Sequence, residues 1–207
     1  MDQRYRFHDE TELHDTIADA VQAKIRTAMP VTPSKDSQDG HTIELQPTVK
    51  AVLRMSDGTK QLVQLPVLPD IPILHAGGGG IHTTHAHKAG DEGVIINVDR
   101  SPDEWFQEGG IQQQGDASMH PLSGGFYQPG AHSTPRKLKG VSKNSSQTRT
   151  DDKQTMHDVS HTAVTGIRKD AAHQINDKAI QTQKGGASHV VDAKTIQQVA
   201  GKILMNC

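Results

Sequence analysis

The chain has 207 residues, 33% hydrophobic and only 3% aromatic, with a formal net charge of −2. So little apolar material makes a poor core for one chain, because buried apolar surface is what offsets the entropy of ordering it. The charge balance offers no concentrated basic face, which argues against a nucleic-acid partner.

Part of the chain is therefore expected either to be disordered or to fold by sharing a core with copies of itself. No apolar run reaches the roughly 18 residues of a membrane-spanning helix. The opening residues lack the apolar segment of a secretory signal, so synthesis in the cytoplasm is the expectation. A single cysteine, Cys207, excludes an intrachain disulfide framework.

Residues 9–29 read as one amphipathic helix. Asp9 and Glu12 have capping-box spacing, and Leu13, Ile17, Ala20, Val21, Lys24, Ile25 and Ala28 follow helical spacing before Pro30 and Pro33 stop it. Its apolar stripe is narrow, which suits packing on a partner chain or on its own copies, so residues 1–30 form a first segment. The alternative is a helix folded back on its own chain.

From Thr42 to Val98 the period changes to two. Ile43, Leu45, Val49, Val52 and Leu53 precede the turn Ser56-Asp57-Gly58; Leu62, Leu65, Val67, Ile71, Ile73 and Leu74 follow it. After the run Gly77 to Gly80 come Ile81 to His87, a turn at Ala89-Gly90-Asp91, and the apolar strand Gly93 to Val98. Short strands divided by turn residues predict a small OB-like antiparallel barrel over residues 31–100. Residues 101–140 read as a loop-rich extension with one short helix near Trp105 and Phe106.

Residues 141–207 contain no Phe, Tyr or Trp. Composition alone reads as disorder, but alternation argues for β structure with a thin interior. Val159, Ala163, Ile167, Ala171, Ile175, Ala179, Val191, Ala193, Val199, Ile203 and Met205 all have odd numbers, and every charged residue after Lys184 has an even one, although Lys169 and Asp177 break the pattern upstream. One chain cannot bury that face, whereas three wound together close it and leave no free edge. The expectation is an intertwined trimeric β-helix or β-prism with Val191, Ala193, Val199, Ile203 and Met205 in the trimer core.

Several stretches carry a family resemblance. They are Leu65-Pro-Val-Leu-Pro-Asp-Ile-Pro-Ile73, Gly77-Gly-Gly-Gly-Ile81, Lys88-Ala-Gly-Asp-Glu-Gly-Val94, Asp99-Arg-Ser-Pro-Asp-Glu-Trp105, Gly109-Gly110, Met119-His-Pro-Leu-Ser-Gly-Gly-Phe126 and Pro129-Gly130. In order and spacing, residues 45–140 resemble the N-terminal domain of the baseplate assembly protein V-like central spikes of contractile-tailed phages. The resemblance implies a fold that is mainly β: an N-terminal helix, an OB-like barrel and a C-terminal β-helical spike. It further implies a non-enzymatic homotrimer at the distal tip of the virion baseplate, plugging the hub protein and piercing the host outer membrane when the sheath contracts. The equivalent spike of a tailocin fits equally well.

Related spikes hold an iron at the tip through a His-x-His pair, which the last residues of this chain lack. The end Lys202 to Cys207 is therefore expected to dock a separate tip protein or to cap itself with Met205 and Cys207.

No cofactor is required by this reading, but 13 histidines invite a metal. His157, His161, His173 and His189 share odd parity, so each would give a three-imidazole ring around the trimer axis and could hold iron or another ion there. His157 and His161 lie roughly 13 Å apart along a strand and cannot share one ion. His82, His85 and His87 form a second cluster, with His85 and His87 on one strand face; exposed polar positions are the simpler expectation, and a metal-dependent hydrolase is the competing one. An OB-fold module for polysaccharide or single-stranded nucleic acid is another competitor, but residues 42–98 have no aromatic on which a base or sugar would stack.

Overall fold

The computed structural model describes residues 10–55 and 57–201, which divide into two compact units, the first ending at Pro135 and the second beginning at Arg136. Within the first, helix α1 covers Glu10–Gln22 and leaves Leu13, Ile17 and Val21 exposed. The helix expected to reach residue 29 stops short, because Ala28–Pro33 is a strand, β1. A proline disfavours helical geometry at the residue before it, and Pro30 and Pro33 lack the N–H a helix would use. Both prolines serve the sheet as acceptors instead. The Pro30 carbonyl accepts from Thr48 N (3.1 Å) and the Pro33 carbonyl from Gly90 N (3.0 Å).

The next strands are β2 (Thr42–Pro47), β3 (Ala51–Arg54), β4 (Lys60–Val63), β5 (Leu68–Pro72), β6 (Ala76–Gly78), β7 (Ile81–Thr83) and β8 (Gly93–Asn97). A short helix, α2 (Asp103–Glu108), and the strand β9 (Gly125–Pro129) complete the unit. Five of these strands form one antiparallel sheet in the order β5-β2-β1-β8-β9, while β3–β4 and β6–β7 are separate hairpins. The sheet curls into a half-barrel until its two edges meet. Ile73 and Tyr127 form a parallel bridge, and Leu74 N donates to the Tyr127 carbonyl at 2.9 Å.

Alternation along the strands places Val31, Ile43, Leu45, Leu68, Ile71, Ile73, Ile95 and Tyr127 in one core. Burying each of the aliphatic members contributes about 1.5–3 kcal/mol before the ordering entropy is charged against it. Tyr127 is the largest fully buried side chain, and it comes from a segment expected to be loop. Its ring lies across Gly93, where a Cβ would overlap it. The barrel thus draws its first strand from the expected helix and its last from the expected extension, and spans β1 to β9 rather than residues 31–100 alone.

The second unit is one seven-stranded antiparallel meander, each strand pairing with its sequence neighbour. Its strands are β10 (Ser145–Arg149), β11 (Thr155–Ser160), β12 (Ala163–Arg168), β13 (Ala171–Asn176), β14 (Ala179–Lys184), β15 (Ala187–Asp192) and β16 (Ile196–Val199). From β11 to β15 the strands are six residues long with two-residue turns, so the hairpin repeats every 16 residues.

The turn chemistry repeats with it. At one end the side-chain oxygens of Ser160, Asn176 and Asp192 each accept from two backbone N–H groups just downstream, at 2.7 to 3.4 Å, the local bond that favours Ser, Asn and Asp in turns. At the other end Lys153, Lys169 and Gly185 all take a left-handed backbone, with φ of 57°, 53° and 56°.

Candidate functional site

The register of the meander decides which side chains share a face. Val159 pairs with Val164, Val164 with Ile175, Ile175 with Ile180, Ile180 with Val191 and Val191 with Ile196. Six β-branched residues therefore run in one unbroken row across six strands. Among the described residues nothing covers this row fully: Val159, Val164, Ile175, Ile180 and Ile196 are 39–70% exposed. A contiguous exposed apolar row of this kind marks an interaction surface rather than scattered surface hydrophobics.

Beside it on the same face runs a second row, Thr148–His157–Gly166–His173–Thr182–His189–Gln198. Histidine alternates with a smaller or uncharged residue, and His173 Nδ1 lies 3.0 Å from Thr182 Oγ1. A third row, Thr155–Arg168–Ala171–Lys184–Ala187, completes the face and carries its only charged strand residues.

The opposite face is mostly polar along its middle, with Val190 the exception, and several of its side chains bond to one another. There Gln147 and Ser145 donate to Asp158, and Gln174 Nε2 donates to Thr165 Oγ1 at 3.2 Å. The hydroxyl of Ser145, followed by the Gln147 amide, holds the Asp158 carboxyl below its usual range.

In this register odd-numbered residues do not stay on one face. Each two-residue turn makes an odd residue face an even one across the hairpin, so the shared face alternates parity from strand to strand. Of the expected trimer-core residues, Val191 lies in the apolar row. Val199 pairs with Ser188 on the opposite face, and Ala193 lies in the β15–β16 turn. Ala163, Ile167 and Ala179 likewise sit opposite the apolar row. Ile203, Met205 and Cys207 lie outside the described residues. His157, His173 and His189 fall in one row, whereas His161 is in the β11–β12 turn. The signal that reveals the rows is self-similarity at 16 residues: His157, His173, His189; Val159, Ile175, Val191; Val164, Ile180, Ile196.

The other histidine cluster disperses. Strand β7 ends at Thr83, so His85 and His87 do not share a strand face. His87 turns inward to 5% exposure, 5.8 Å from the His75 ring and edge-on to Tyr127 at 6.0 Å. Burial, with His75 second, pushes its pKa down. Among the described residues no three His, Cys, Asp or Glu side chains converge on a metal position within the chain.

Residues 29–130, just under half of the chain, match a family described as the phage protein Gp138 N-terminal domain. The match supports a phage structural protein. It encloses nearly the whole half-barrel, β1 to β9, and ends before the repeat sheet begins. Comparison with curated proteins finds no match to this chain.

Proposed function

We propose that the chain is the central spike of a contractile phage tail, acting as a homotrimer and without catalysis. The observation that carries this reading is the exposed row from Val159 to Ile196, which asks for an apolar partner along its full length. The most economical partner is the same face on further copies: each copy brings the same 16-residue repeat in the same register, so every level of the sheet meets an identical level. Three such sheets, with the face that carries the apolar row turned inward and the other face outward, make a prism that covers the apolar row and stays soluble.

The phage-domain match supports placing such a prism in a virion. The first unit supports the hub end: its sheet order, with edges joined in parallel at Ile73 and Tyr127, is that of a partly open OB-like barrel. In this reading the barrel sits beneath the baseplate hub and the prism points to the host. Sheath contraction drives it through the outer membrane, where stiffness is the working property. Strands hydrogen-bonded along their whole length and packed on two other copies resist local opening better than loops. A tailocin spike would use the same construction.

The test is truncation. The full chain is expected to run as an SDS-resistant trimer, and a chain ending at Pro135 is expected to lose that resistance. A truncated chain that stayed trimeric would show that the repeat sheet is not what holds the copies together.

A further inference from the structure

The middle row of the inward face has a property of its own, which rests on the trimeric reading above. Strands β11 to β15 each place three side chains on that face, and the central ones are His157, Gly166, His173, Thr182 and His189. A six-residue strand is about 20 Å long, so in a three-sided prism with one such strand per side the centre of each side lies roughly 6 Å from the axis. An imidazole plus one metal–nitrogen bond of about 2.0–2.1 Å bridges roughly that distance.

The end rows point toward the corners of the prism; only the central row points at the axis. Within one chain, successive histidines are two strands apart, about 9.5 Å, too far to share an ion. Between copies, the three imidazoles of one level converge.

We propose that the assembled shaft holds three stacked sites for a first-row transition-metal ion, at the levels of His157, His173 and His189, each built from one imidazole per copy. Several local features fit this chemistry. Gly166 and Thr182 alternate with the histidines and leave room between levels, and a Cβ at Gly166 would meet nothing within 4 Å. His173 has its Nδ1 engaged by Thr182 Oγ1 at 3.0 Å, which fixes the ring and leaves Nε2 to face inward. Three imidazoles and a water make a four-coordinate site of the kind that zinc, cobalt, nickel or iron accepts. The strand residues of this face include no carboxylate, so no hard oxygen donor competes, and Arg168 and Lys184 lie one row away toward a corner. His161, in its turn, takes no part.

The experiment uses the full chain, stripped with EDTA and titrated with cobalt(II), which reports coordination by its visible spectrum, with oligomeric state read on the same sample. The expected result is three cobalt ions per trimer with the intense bands of a four-coordinate site. Each of H157Q, H173Q and H189Q should lose one third of this uptake, the triple variant all of it, and H161Q none. A stripped trimer that takes up no cobalt, or a trimeric triple variant that takes up as much as the wild type, overturns the stacked sites and leaves the spike reading intact. A stripped wild-type chain that is monomeric with or without cobalt overturns both.

Discussion

His87 is a buried imidazole in the half-barrel whose Nε2 meets no hydrogen-bond partner among the described residues, and the hydroxyl of its neighbour Tyr127 is equally unmatched among them. Burial lowers the His87 pKa from 6.5 and pushes the Tyr127 phenol up to about 12. With the folded-state pKa depressed, the unfolded chain takes up its proton first. The contribution of His87 to stability is therefore present above its unfolded pKa of about 6.5 and is lost as pH falls toward the folded value. Urea midpoints followed from pH 8 to 5 should fall on the acid side, and His87→Leu should flatten that limb; an unchanged limb would mean other groups set it.

At Tyr127 the hydroxyl contributes nothing that the structure requires, but the ring fills the core. Tyr127→Phe should therefore lie within about 1 kcal/mol of wild type, and Tyr127→Ala should cost about 3–5 kcal/mol by chemical denaturation.

Adjacent strand residues on opposite faces separate the proposed packing face from the proposed outer face. Ile180→Asp should abolish the trimer on gel filtration, because it would bury one carboxylate from each copy without a partner. Gln181→Asp, one residue on and facing away, should leave the trimer intact. Val199→Asp should also be tolerated, since Val199 shares a face with Ser188 rather than with Val191. Deleting residues 171–186 removes a whole hairpin and should keep both register and trimer. Deleting 171–178 removes a single strand with its turn, reverses the direction of every later strand, and should destroy assembly.

Much of this was legible in the alternation of apolar and polar residues and in the turn signals: that the last third is β, that Val159, Ile175 and Val191 share a face, and that Ile43, Leu45 and Ile71 pack inward. The face assignment beyond them was not, because parity survives along a strand but is inverted by each two-residue turn. Strand β1 was obscured by Pro30 and Pro33, which read as helix stops yet act here as carbonyl acceptors in a central strand. Strand β9 was hidden by its glycine- and proline-rich surroundings, although Tyr127 is the core's largest side chain.

For the molecule as a whole, a low apolar content, a half-barrel with a small core and a sheet with an uncovered apolar row all favour the proposal that the second unit packs against copies of itself. The phage-domain match over residues 29–130 gives that proposal its setting. It does not extend to the sheet that would form the shaft, so the histidine levels and the apolar row stand on register alone. The most direct test is the solution mass of the intact chain by light scattering. The account predicts a single species at three times 22.4 kDa, unchanged on dilution. A monomer with the apolar row open to solvent would contradict it.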